Sequence, residues 1–266
     1  MARQPAIFVT HGGGPCFWMS FPEPLGPNAF KKLGAYFSGL LAGLKERPKA
    51  VVIVTAHWEE DKPTVSTAAH PGMLFDYHGF PPHTYELSYP AAGSPSLAAE
   101  VGELLSKAGI DYGTDQKHGF DHGVFVPMLM IDPNASLPVV MLSLQKDLDP
   151  AQHLAIGAAL APLRDQGVLI IGSGSSFHNL RSYFNGQPGE AEQFDVWLTE
   201  TVEQPSGREN RLINWSQAPA ARACHPREEH LLPLMVTAGA AQGEAGHRVF
   251  HDLIGGKPMS GYAFGG

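Results

Sequence analysis

Cysteine is scarce in this chain, with only Cys16 and Cys224 among 266 residues. Two cysteines build no disulfide framework and suit a reducing compartment, so free thiols and a cytoplasmic location are expected. Charge is sparse as well: Asp, Glu, Lys and Arg make up 17% of the chain, with a net charge of −8. Neutralising phosphates requires clustered Lys and Arg, and none occur, so nucleic acid is not an expected partner. No apolar run reaches the ~18 residues that cross a bilayer, which argues against a membrane partner. The first residues lack a basic segment followed by an apolar stretch and a cleavage site, so no signal peptide is expected. Internal repeats, low-complexity tracts and long linkers are also missing, and residues 1–266 are therefore read as one domain, as a monomer or small homo-oligomer.

What the chain does contain is a 43% hydrophobic fraction, enough for a sizeable core, with 30 Gly and 23 Pro for many loops. It also has 13 His against 18 Lys and Arg, a high ratio.

Short apolar runs mark buried strands at Ala6–Thr10, Val51–Thr55, Val139–Leu144 and Val168–Ile171, and Met259–Phe264 reads as an edge strand. Between them, three- and four-residue apolar spacing predicts a helix from about Asn28 to Leu44. Further helices are expected from Ser94-Pro95 to about Ala108, over Val124–Ile131, from Asp149-Pro150 to about Arg164, over Glu190–Val202 and from about Glu228 to Ala240. The stretch Pro71–Pro95 has no helical period and is read as a long ordered loop, a candidate wall of a site. Strands alternating with helices predict an α/β fold, a single domain with a mostly parallel central sheet flanked by helices.

Three of the strands run directly into a histidine: IFVT before His11, VIVTA before His57 and LIIGSGSSF before His178. Ligands of open α/β sheets bind beyond the carboxyl ends of the strands, so parallel strands bring these imidazoles to one rim. A fourth group, His225 to His230, opens the last helix. Several imidazoles at equivalent places point to a metal site, although imidazole alone does not choose among Zn, Fe, Cu and Ni. The Gly12–Gly14 run is not a phosphate loop, because no Lys-Ser/Thr follows and the spacing is not G-x-G-x-x-G; it is read as a tight turn beneath His11. Gly172-Ser173-Gly174-Ser175 likewise lacks the spacing of a serine hydrolase. His70, His78, His83, His118, His153, His247 and His251 are assigned no chemical role, and His153 is expected to face solvent.

Thr10-His11-Gly12-Gly13-Gly14-Pro15, Thr55-Ala56-His57-Trp58, Gly119-Phe120-Asp121-His122-Gly123, Ser176-Phe177-His178-Asn179-Leu180 and Glu229-His230-Leu231-Leu232-Pro233-Leu234 together resemble the class III extradiol ring-cleavage dioxygenases, LigB-like, in the branch that includes 4,5-DOPA dioxygenase. The resemblance implies a non-haem metal, normally Fe(II), that serves the insertion of both atoms of O2 into a catechol beside its hydroxyls. It implies His11, His57 and His230 as metal ligands and His178 as acid/base or fourth ligand. His122 would face substrate and oxygen. Glu229 is an alternative carboxylate ligand, since the usual facial set is two histidines and one carboxylate. His225 is a further alternative, although a hydrogen bond anchoring its loop is the expected role. Protein purified in air is expected to carry Zn(II), which imidazoles bind more tightly than Fe(II). Two rival readings use the same residues: a zinc-dependent hydrolase activating water, and a non-catalytic metal-stabilised binding protein.

Overall fold

The structure, a computed structural model, describes residues 2–23, 25–182 and 189–266. Its strands are β1 (Ala6–Thr10), β2 (Ala50–Glu60), β3 (Thr64–Ser66), β4 (Gly113–Asp115), β5 (Val139–Gln145), β6 (Val168–Gly174), β7 (Gly246–Ile254) and β8 (Lys257–Phe264). Among the described residues they form one sheet in the order β4-β3-β5-β2-β6-β1-β8-β7. The four central strands, β5, β2, β6 and β1, are mutually parallel. Antiparallel pairs flank them, β3 on β5 at one side and β8 on β1, then β7 on β8, at the other. The expected α/β architecture with a mostly parallel sheet is what the chain adopts.

The central strands are where the apolar runs lie. Val51, Val52, Ile53 and Val54 are fully buried, and burying each such side chain contributes about 1.5–3 kcal/mol. The helices are α1 (Lys31–Leu40), α2 (Pro95–Lys107), α3 (His122–Ile131), α4 (Pro150–Asp165), α5 (Glu190–Glu203), α6 (Arg208–Ile213), α7 (Ala221–Cys224) and α8 (Leu232–Ala240). Helices α4 and α8 pack together on β6, and α3 packs on β2 and against α1. The α4–α8 approach is close because Gly157 and Gly239 face each other's helix: a Cβ at either would collide with the Val236 or Leu154 carbonyl. Ser94 and Asp149 cap α2 and α4, accepting from Leu97 N at 3.3 Å and Ala151 N at 2.8 Å.

The structure corrects several expectations. Met259–Phe264 lies in β8, which is not an edge: β7 covers it, and the unexpected strands β3 and β4 lie at the far side. Helix α1 stops at Leu40 and continues only as a 3-10 turn over Leu41–Gly43. Helix α8 begins at Leu232 rather than near Glu228, because Glu228–Leu231 closes a tight turn in which Leu231 N donates to the Glu228 carbonyl at 2.8 Å. His153 does not face solvent. It is fully buried, its Nε2 accepting from Gln145 N at 3.2 Å and its Nδ1 donating to the Asp149 carbonyl at 2.7 Å.

The Pro71–Pro95 segment is ordered as expected. It contains a 3-10 turn at Pro82–Glu86 and is tied to the fold where Leu74 N donates to the Phe120 carbonyl at 2.8 Å. Among the described residues, no helix is long and apolar enough to cross a membrane.

Candidate functional site

Backbone hydrogen bonds stitch together the loops that leave the carboxyl ends of β1 and β6. His11 N donates to the Gly174 carbonyl at 3.0 Å, and Ser175 N donates to the His230 carbonyl at 2.9 Å. The second bond needs Gly174, where a Cβ would collide with the His230 carbonyl oxygen. Beneath His11 the chain turns through Gly12 and Gly14 at positive φ, 88° and 51°, a conformation open to glycine at little cost. His57 lies inside β2 rather than past its end. The pairing of β2 with β5 shifts register between Val54 and Glu59, and this irregularity turns His57 toward the rim. Such bulges commonly re-aim a side chain beside a site. His122 is the first residue of α3, and its backbone N donates to Asp76 Oδ1 at 2.9 Å.

Five histidines therefore converge. The Nε2 atoms of His11 and His57 lie 3.3 Å apart. The ring of His230 lies 5.3 Å from that of His11 and 4.9 Å from that of His57; the ring of His122 lies 5.4 Å and 3.8 Å from the same two. His178 stacks on His230 with ring centroids 3.4 Å apart.

Carboxylates fix the ring orientations from behind. Asp76 takes a hydrogen bond from His122 Nδ1 at 2.8 Å, and its other oxygen lies 3.4 Å from His57 Nδ1. Glu229 Oε1 takes one from His230 Nδ1 at 2.9 Å and lies 3.3 Å from His178 Nδ1. With His122 and His230 donating from Nδ1 to these carboxylates, their Nε2 atoms keep the lone pair. Arg227, paired with both oxygens of Glu59 at 2.6 and 2.5 Å, approaches the outer oxygen of Glu229 at 3.4 Å.

Burial and the neighbouring imidazoles hold His11 and His57 well below the ordinary histidine range. Burial likewise brings His230 down to about 4, against the opposing pull of Glu229. Burial alone would raise the Glu229 carboxyl, yet hydrogen bonds from His178 and His230 outweigh it and hold the group well below the usual carboxylate range. Asp76 is lowered in the same way, by His122 against the effect of burial. Burial thus favours the neutral form of His11, His57 and His230, and the imidazoles beside them favour the ionised form of Asp76 and Glu229.

That donor set suits a metal ion. Two nitrogens each about 2.1 Å from one ion lie roughly 3.0 Å apart at octahedral angles and 3.4 Å apart at tetrahedral ones, and the His11–His57 separation falls between these. Grouped by ligand atoms, His11, His57 and His122 form one cluster and His178, Glu229 and His230 a second. The carboxylate–histidine pairs are the usual support of metal-binding imidazoles.

The histidines close one end of a cavity of about 450 Å³, whose walls include Phe21, Phe30, Tyr77, Phe80 and Phe177. A larger cavity of about 570 Å³ lies at the other end of β1, near Arg3 and Lys45, away from this chemistry.

All five singled-out histidines, His11, His57, His122, His178 and His230, meet here, with Glu229 behind two of them. His225 does not join them: its Nε2 donates to the Ser176 carbonyl at 3.0 Å, and its ring lies against Phe194 and Trp215. Asp76, Tyr77 and the Glu59–Arg227 pair belong to the site without standing out in the sequence. Nothing in the aperiodic loop around Asp76 marks it as the partner of a histidine 46 residues later. Cys16 and Cys224 are both buried and free.

A family model described as the catalytic LigB subunit of aromatic ring-opening dioxygenase matches residues 6–264. The chain is 36% identical to dioxygenase tasH of Hapsidospora irregularis, over all of this chain and 87% of that one. It is 39% identical to the 4,5-DOPA dioxygenase extradiol of Beta vulgaris, over 81% of each. Among solved structures, an uncharacterized protein from Escherichia coli K12 superposes with a TM-score of 0.75 at 30% identity, covering 99% of this chain and 100% of that one.

Proposed function

The chain belongs to the LigB family of aromatic ring-opening dioxygenases, and from that premise we propose that it opens the ring of a catechol-type small molecule by extradiol cleavage with O2. His11, His57 and His230 are the proposed ligands of a non-haem metal, Fe(II) in the active form. Bound there, the metal supplies open coordination positions for the diol and the redox chemistry that lets O2 react with the ring. Among the alternatives for the third ligand, Glu229 is already engaged by His230 Nδ1 and His178 Nδ1, which supports His230 in that role.

The other residues handle protons and position. His178 Nδ1 faces Glu229, so its Nε2 is free to take a hydroxyl proton as the diol binds. The carboxylate of Glu229 then stabilises the imidazolium that forms. His178 stacks on His230, so the proton acceptor stands directly beside the proposed third ligand. His122, clamped by Asp76, faces the cavity where ring and oxygen meet. Aromatic walls exclude water from the reacting diol.

The observation that carries this reading is the 3.3 Å approach of two neutral imidazole nitrogens at the end of an apolar cavity, with a carboxylate-backed histidine stacked beside the third ring. It is tested by loading the protein with Fe(II) without oxygen, adding a panel of catechols, admitting air and following O2 uptake and absorbance. Oxygen-dependent ring opening is expected. Turnover that proceeds without oxygen would instead establish a hydrolase.

A further inference from the structure

We infer that the substituent on the catechol ring is uncharged and apolar rather than an amino-acid side chain; the inference rests on the ring-opening reading above. The cavity of about 450 Å³ falls within the ~300–1,000 Å³ of small-molecule sites, and a single dihydroxyphenyl ring leaves part of it to a substituent. That substituent meets Phe21, Phe80, Phe177, Leu180, Ile254 and Met259. Among the described residues, no Lys, Arg, Asp or Glu side chain lines the cavity.

Two cations stand near without joining the wall. Lys257 Nζ lies 6.0 Å from the Phe177 ring centroid, and Arg181, next to Leu180, is exposed to solvent. Glu229 is turned to His178 and His230. A substrate carboxylate or ammonium entering this cavity would therefore leave water without gaining an oppositely charged side chain as partner, which is costly. An alkyl or aryl group gains by the same transfer. Leu180 extends the apolar wall outward: it is 64% exposed, and a substituent lying across it would remove that surface from water.

The test uses the Fe(II)-loaded protein. Binding of 4-propylcatechol, L-DOPA and dopamine is measured calorimetrically without oxygen, and kcat/KM for each is then measured in air. Propylcatechol is expected to bind at least about tenfold more tightly than either charged catechol, with a matching gap in kcat/KM. Leu180 is exposed, so Leu180→Arg should fold normally. It should improve L-DOPA, which carries a carboxylate, by a few-fold and leave dopamine, which has only an ammonium, unimproved. Equal or tighter binding of L-DOPA by the unaltered protein overturns the inference and leaves ring opening intact. An unchanged L-DOPA preference in Leu180→Arg overturns the assignment of selectivity to this wall. Failure of every catechol to bind and turn over overturns the ring-opening reading together with the inference.

Discussion

Asp76 grips His122 at two points, taking one hydrogen bond from its backbone N at 2.9 Å and another from its Nδ1 at 2.8 Å. The same carboxylate approaches His57 Nδ1, so one side chain sets the orientation of a proposed ligand and of the histidine facing the cavity. Asp76→Asn keeps the shape but loses the charge and one acceptor oxygen. Metal affinity or kcat should fall by about 10–100-fold, the usual cost of losing such support. Metal titration alongside steady-state kinetics checks this, and unchanged values for both would leave Asp76 without a positioning role.

Replacing a proposed ligand should be harsher. His11→Ala, His57→Ala and His230→Ala should each strip most of the metal while circular dichroism shows the fold retained, because the buried sheet and helices supply most of the stability. Elemental analysis decides the matter. Full metal occupancy in His57→Ala would remove it from the ligand set.

His178 should behave differently. As the proton acceptor, its replacement by Ala should cost about 10²–10⁴ in rate with the metal retained and catechol still bound. Metal loss in His178→Ala as complete as in His57→Ala would make it a ligand.

His225 supplies a pH test on a histidine outside the converging set. Burial pushes its imidazole down to about 3 from 6.5, so in acid the unfolded chain binds a proton that the folded chain refuses. Its contribution is fully present above pH 6.5 and is lost as pH falls toward 3. Between pH 6.5 and pH 5 the loss is about 2 kcal/mol. His225→Gln retains a donor for the Ser176 carbonyl and does not titrate, so its denaturation midpoint should fall less over that range. Parallel pH dependences for the two proteins would contradict this.

Much of this architecture was legible in the residues, and the exceptions have physical reasons. The four parallel strands are buried on both faces, so each announces itself as an apolar run, and the same runs lead to His11, His57 and His178. Strand β7 is hidden because it lies at the sheet edge: His247, Arg248 and His251 are exposed, and the apolar signal is broken up. Strands β3 and β4 span three residues each, too short for any pattern. His153 reads as a surface residue by helical spacing, yet α4 lies against the end of β5, where Gln145 N needs an acceptor. The histidines of the site stand in recognisable neighbourhoods, whereas Asp76 acquires its role only through a contact between distant segments.

The most direct test of the account compares two metal forms of one protein. Zinc has no accessible redox change, so the zinc-loaded form should bind catechols and leave them intact. Removing zinc and adding Fe(II) without oxygen should restore ring opening once air is admitted. An oxygen electrode read alongside product absorbance should then give about one O2 consumed per ring opened, as expected when both oxygen atoms enter the product. Equal turnover by the zinc form, or product formed without oxygen by either form, would contradict the assignment.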